Sequence, residues 1–277
     1  MRHSTVSARG VRFHVAEAGS GAPVLLLHGW PQHWLLWRSL LADPPAGLRL
    51  IAPDLPGYGW SGPPPHGWAK EEVASDLLGL LDALKLEQRI LPVGHDWGGW
   101  IAYLMAMREP ERFRGLLALN IAHPWTGRRA ILARGLPLLA YQPLIAAFGA
   151  PLHRRTALVR WILKLGGASL DRLEADSYAA PFRGRDVARC ARDTYRTFLL
   201  HELPRLAASP ERRRVDIPVR ALFGAEDRAI HPSLAAEATA RAADYSLSLV
   251  GGCGHFIVDA RPDLVRSALE ALSAETA

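Results

Sequence analysis

The feature that most limits what this chain can fold into is a rhythm of short apolar runs separated by helical stripes. Pro23–His28, Leu48–Pro53, Ile90–Gly94 and Leu116–Ile121 each read as a strand buried on both faces. Val11–Ala18 reads as an edge strand ahead of them. Between the runs, Glu71–Leu84 sets Val73, Leu77, Leu78, Leu81 and Leu84 on one stripe, and Gly98–Arg108 carries a second helical pattern. Strands alternating with helices predict an α/β fold: a mostly parallel central sheet flanked by helices on both faces. The rhythm stops at about His123 and resumes at Pro218–Gly224 and Tyr245–Val250, with a closing helix over Asp263–Ala274. The simplest architecture is a core formed by residues 1–122 and 215–277, interrupted by an inserted helical cap over 123–214.

Composition bears on what such a chain does. Its 277 residues, 49% of them hydrophobic, suffice for one large α/β domain with a substantial core. The net charge of +6 is unevenly placed: residues 125–214 carry 17 Lys and Arg against 7 Asp and Glu, and the remainder is net acidic. These arginines recur at helical spacing without interleaved aromatics or glycines, the pattern of a solvated helix face, so no nucleic-acid partner is expected. Gly135–His153 is uncharged over 19 residues but is broken by Pro137, Pro143 and Pro151, which favours a cap segment over a membrane span. Two cysteines, Cys190 and Cys253, make no disulfide framework, and Met1–Gly10 lacks the apolar run of a signal peptide. A cytoplasmic protein, monomeric or homodimeric, is the resulting expectation. The eleven histidines include no HExxH pair, and Gly57-Tyr-Gly59 lacks the third glycine of a dinucleotide fingerprint, so neither metal nor cofactor is expected.

Chemistry concentrates at Gly94-His-Asp-Trp-Gly98, which follows an apolar strand and opens a helix. Small residues flanking a reactive side chain on a strand-to-helix turn are the signature of a nucleophile elbow, here with Asp96 at its tip. An aspartate there could merely cap the helix. As a nucleophile it needs no activating base, since it is already ionised at neutral pH, and its attack on carbon leaves an ester to be hydrolysed. His28-Gly-Trp-Pro31 follows an earlier strand; the backbone N–H groups of Trp30 and of Trp97 are the expected oxyanion donors, with Trp30–Pro31 a candidate cis peptide. Asp227 and His255 lie in loops beyond the last two strands, so the chain order is nucleophile, acid, histidine. His255 would activate water and Asp227 would fix its tautomer. Glu226 is the competing acid, and Cys253 lacks an elbow of its own.

HGWP at 28–31, DLPGYGWSG at 54–62, GHDWGG at 94–99, FGAEDR at 223–228 and GCGHF at 252–256 together resemble the α/β-hydrolase superfamily, and within it the epoxide hydrolase branch. The likeness runs over nearly the whole chain and is weakest in the cap. It implies cap tyrosines that protonate the departing ring oxygen, for which Tyr195 and Tyr141 stand in similar local contexts, with Tyr178 in reserve. It implies a small apolar epoxide as substrate, faced by Trp30, Pro31, Trp97 and Trp125, and a greasy pocket that Leu136, Leu138, Leu139, Ile145 and Phe148 would supply if they do not simply pack helices. Haloalkane dehalogenases are the nearest siblings; they bind the halide through N–H donors, a part Trp97 would play with help from Trp30 or Trp125. Several of them carry their acid after an earlier strand, where this chain has Asn120. Fluoroacetate dehalogenases tend to have Arg where Trp97 stands. A non-catalytic small-ligand receptor on the same fold is the remaining alternative.

Overall fold

Runs such as Val24-Leu-Leu-Leu27 are flanked by the turn-forming Ser20-Gly21 and Gly29, and β-branched or leucine side chains on both faces leave them stable only between two covering layers. In the computed structural model these runs assemble into an eight-stranded sheet. The structure describes residues 1–126, 136–209, 211–236, 238, 241–242 and 244–277, with the side chains of 136–140 outside that description. The strands are β1 (Arg2–Ala8), β2 (Val11–Gly19), β3 (Ala22–Leu27), β4 (Leu48–Pro53), β5 (Leu91–His95), β6 (Leu116–Leu119), β7 (Val219–Gly224) and β8 (Tyr245–Val250). Their spatial order is β1-β2-β4-β3-β5-β6-β7-β8. β1 and β2 pair antiparallel, β2 lies antiparallel to β4, and every later pairing is parallel.

The expected mixed, mostly parallel sheet is therefore present, with one correction. Val11–Ala18 is not the edge: β1 lies outside it, paired in register from Arg2↔Glu17 to Ala8↔Val11. Its residues RHSTVSA are mostly polar and one face is open, so the strand has no apolar run to announce it.

Helices cover both faces. α1 (Arg38–Ala42) and the C-terminal α9 (Ile257–Ala260) and α10 (Pro262–Glu275) join the core layer that contains Trp37, Leu50, Leu117 and Leu269. α2 (Lys70–Ala83) and α3 (Trp97–Arg108) join the opposite layer around Phe13, Leu77, Ile101 and Phe113. α3 is apolar nearly all round and buried along almost its whole length, as a helix between sheet and neighbours must be.

Between β6 and β7, which are neighbours in the sheet, the described residues form helices and turns. α4 (Leu136–Arg155) runs through Pro143 and Pro151 without breaking. It is followed by α5 (Leu158–Leu165), α6 (Arg172–Ala179), α7 (Arg185–Thr197), a π-helical turn at Phe198–Glu202, and α8 (Leu203–Ala208). α6 starts with a complete capping box between Asp171 and Glu174. α4 packs along α7. Among the described residues no helix is long and apolar enough to cross a membrane.

Candidate active site

Five adjacent strands deliver one group each at their C-terminal ends: Trp30 after β3, Asp96 after β5, Asn120 after β6, Asp227 after β7 and His255 after β8. Neighbouring strands lie roughly 5 Å apart, so residues far apart in sequence are brought within hydrogen-bonding reach.

Asp96 sits at φ 51°, ψ −126°, a conformation a non-glycine residue adopts only where its surroundings impose it. Its backbone carbonyl accepts from Gly99 N and Trp100 N, anchoring the first turn of α3, while its side chain makes no capping bond. The helix-cap alternative for Asp96 therefore fails. The tightness of the turn explains its glycines: a Cβ on Gly98 would overlap the carbonyl oxygens of Leu27 and His28. A Cβ on Gly29 would overlap the Asp96 carboxylate itself.

The carboxylate has two differently occupied oxygens. Oδ1 accepts the Trp30 backbone N–H at 2.8 Å, and the Trp30–Pro31 peptide is cis. Oδ2 lies 3.6 Å from His255 Nε2. His255 Nδ1 is 2.8 Å from Asp227 Oδ2. Asp227 in turn accepts from Asn120 Nδ2 at 2.7 Å, and on Oδ1 from the backbone N–H groups of Ala229 and Ile230 at 2.8 and 2.9 Å. Glu226 is turned away, accepting from Gly252 N. Buried charge sets the protonation of this chain of groups. Burial disfavours the His255 imidazolium, but the charge and hydrogen bond of Asp227, helped by Asp96, outweigh it and push His255 up to about 10. Burial likewise opposes the Asp227 carboxylate, and His255 and Asn120 more than compensate, holding it below the usual range.

The His255 loop is held through its backbone as well. Its N–H donates to Gly166 O at 2.8 Å, and its carbonyl lies 2.9 Å from His95 Nε2. Burial pushes His95 down to about 4, so the ring is neutral and Nε2 carries the proton given to that carbonyl.

The helical segment brings two tyrosines to the same place. The Trp30 indole stacks on Tyr141, centroids 6.0 Å apart, and meets the Tyr195 ring edge-on at 5.2 Å. Trp97 meets Tyr195 at 6.0 Å. The two tyrosine rings meet edge-on with centroids 6.1 Å apart, and burial with the Asp96 charge nearby pushes both phenols above their ordinary range. Trp30 is itself fixed from the helical side, its Nε1 donating to His153 Nε2 at 3.1 Å.

Other expected site residues go elsewhere. Trp125 packs on Tyr103 and His123 and donates its Nε1 to Arg213 O, which draws it into the core rather than toward Asp96. The reserve Tyr178 is tied to Asp259 at 3.1 Å and to Arg38. Phe148 is 59% exposed and lines no pocket in the interior, whereas Ile145 is buried. The side chains of Leu136, Leu138 and Leu139 lie outside the described residues. Pro31 is buried at the end of the HGWP turn. Sequence reasoning missed Asn120 as the partner of Asp227; its place at the end of a strand adjacent to both Asp96 and Asp227 was the available signal. Among the described residues no group of three His, Cys, Asp or Glu side chains is arranged to hold a metal ion.

A mostly parallel sheet with an elbow residue, an acid and a histidine beyond the ends of β5, β7 and β8 defines the α/β-hydrolase class. The sequence model of the alpha/beta hydrolase fold family matches residues 22–262, and the chain belongs to that family. It is 42% identical over 124 residues to epoxide hydrolase 2 of Siraitia grosvenorii, a stretch covering 44% of this chain and 39% of that protein. The chain thus spans about two fifths of the length of such curated relatives. An AB hydrolase superfamily protein of Bacillus subtilis, YfhM, is 29% identical over 94% of this chain and 93% of its own length. Among solved structures, the epoxide hydrolase CorEH without ligand superposes with a TM-score of 0.79 at 25% identity, covering 99% of both chains.

Proposed function

We propose that this chain hydrolyses a small apolar epoxide to a vicinal diol through a covalent ester on Asp96, with residues 123–214 acting as the cap over the core. One observation carries the reading: a strained Asp96 with one oxygen on a backbone N–H and the other facing His255, beside two buried tyrosines whose rings meet each other and Trp30. The epoxide hydrolases among its relatives support it.

Oδ2 attacks a ring carbon from behind, the carbon–oxygen bond opens, and the departing oxygen takes a proton from Tyr195, backed by Tyr141. A phenol with a raised pKa still protonates an alkoxide, and it recovers its own proton readily. Esterification removes the Asp96 charge, one of the two supports of the His255 imidazolium. The ring then yields its proton, which restores the tyrosine hydroxyl, and His255 becomes a base oriented by Asp227. It takes a proton from water as the hydroxide adds to the ester carbon. The oxyanion forms on Oδ1, already seated on Trp30 N–H, with the Trp97 N–H as second donor; such donors are worth about 3 kcal/mol each. Collapse expels the diol oxygen, which takes the proton from His255, and the Asp96 carboxylic acid left behind passes its proton back to His255, so that carboxylate and imidazolium are both restored.

Incubating the His255→Gln variant with styrene oxide should leave the intact protein heavier by one substrate mass, with the adduct mapping to Asp96. An unmodified protein, or an adduct elsewhere, would refute the covalent route. A second reading has one observation in its favour: Trp97 Nε1 is buried without a partner, a donor that a departing halide could take. Halide release from a haloalkane, with no diol from epoxides, would select it.

A further inference from the structure

Lys70, the first residue of α2, has no part in the chemistry above, yet it is 2% exposed and lies against the residue that follows the nucleophile. Its Nζ donates to Glu202 Oε2 at 2.7 Å and to Thr194 O at 3.3 Å. The same ammonium sits 4.4 Å from the centroid of the Trp97 ring and 5.1 Å from that of Phe198. The other oxygen of Glu202 accepts the Lys70 backbone N–H at 2.8 Å, so one carboxylate meets both the side chain and the helix start. Thr194 is gripped a second time, its Oγ1 accepting the Tyr58 hydroxyl at 3.1 Å.

These contacts converge on one turn of the helical segment. Thr194 precedes Tyr195, and Glu202 ends the π-helical turn beyond α7. A π turn inserts a residue relative to an α-helix and rotates the chain beyond it; here it brings Glu202 round to α2. A buried ion pair is a poor source of net stability but is strict in geometry, because each partner left alone is a buried charge. The geometry points to Lys70 and Glu202 as positioning residues that hold Tyr195 at the height above Asp96 where its hydroxyl meets the opening ring. This rests on the epoxide reading, since it concerns the protonation step of that reaction.

The test is single-turnover kinetics with styrene oxide, monitoring ester formation and ester breakdown separately by rapid quench and intact mass. Lys70→Met and Glu202→Gln should each slow ester formation by roughly 10- to 100-fold, as misplacement by about an ångström does. Ester breakdown, which needs His255 and not Tyr195, should stay within about twofold of wild type, and the double variant should be no slower than the worse single one. Lys70→Arg, which keeps the charge, should recover part of the rate and provides a folded comparison if Lys70→Met does not fold. Unchanged ester formation, or equal slowing of both steps, overturns the assignment. If wild type forms no ester, the hydrolase reading fails instead; amide exchange then decides the latch, which requires faster exchange over 194–202 in Glu202→Gln and is overturned by unchanged exchange.

Discussion

Two halves of the site are built by different means. Trp30, Asp96, Asn120, Asp227 and His255 stand at the ends of five adjacent strands, and the sheet ladder fixes their spacing before any side chain is considered. Tyr141 and Tyr195 stand on α4 and α7, and the helical segment meets the sheet region through side-chain contacts such as Trp30 with His153 on α4, Lys70 with Thr194 on α7 and Glu202 in the π-helical turn, and Arg38 with Tyr178 and Glu174 on α6. Backbone ladders are cooperative and repeat at every residue, whereas such contacts are few and separable. The strand-borne half is rigid by construction; the helix-borne half is placed by a handful of polar pairs.

The comparison can be broken first at its firmest point. Asp96→Asn leaves the elbow but removes the charge, and diol formation should fall by roughly 10⁴-fold or more, as loss of a covalent nucleophile does; steady-state turnover of styrene oxide measures it, and residual activity within tenfold of wild type would remove Asp96 from its role. On the helical half, Tyr195→Phe should slow ring opening by about 10²-fold and leave ester breakdown unchanged. Tyr141→Phe should cost less, because Tyr195 is then left to donate alone. Equal slowing of both steps in either variant would show that the hydroxyls pack rather than donate.

A smaller effect separates positioning from chemistry within the strand-borne half. Asn120→Ala removes one donor to Asp227 while leaving His255, Ala229 and Ile230 in place. Turnover should drop by about tenfold and thermal stability by about 1–2 kcal/mol; an unchanged pH profile of ester breakdown would show that Asn120 only braces the loop.

Stability against pH sharpens the contrast from both sides. His28, His95, His123 and His153 are each pushed down to about 4, burial being the main cause. Their neutral forms are favoured in the fold, so the stability they contribute is present above about 6.5 and is lost as pH falls toward 4, by several kcal/mol in sum (an order of magnitude). His153 is the member that joins the helical segment to Trp30, so helical contacts should loosen within that window. His255 has the opposite sign: its contribution is complete below about 6.5 and is lost as pH rises through about 10. Melting temperatures across pH 4 to 10 should trace a dome, and a flat acid limb would contradict the buried neutral histidines.

Most of the strand-borne half was legible because each of its residues follows an apolar run at the place where a parallel sheet exposes its loops. Leu48–Pro53 and Tyr245–Val250 appear with the boundaries their composition suggests. The edge strand β1 was invisible for the converse reason, since a half-solvated strand carries polar residues and no buried run. Trp125 and Phe148 illustrate a second limit: an aromatic in the helical segment is equally consistent with a pocket wall, a core and a surface, and periodicity does not say which face turns inward. Lys70 shows a third, as nothing local distinguishes a lysine buried against Glu202 from a solvated one at a helix start.

By itself, the sequence determined the alternation of buried strands and amphipathic helices, the turn at Gly94–Gly98 and the order of Asp96, Asp227 and His255, because these depend on neighbours along the chain. Only the tertiary structure decided which oxygen of Asp96 meets Trp30 and which faces His255, that Asn120 holds Asp227, and that Lys70 and His153 tie the tyrosine-bearing helices to the sheet. Those are contacts between residues 66 to 159 positions apart, and pairings at such separations arise from how packed layers meet, which no local pattern encodes.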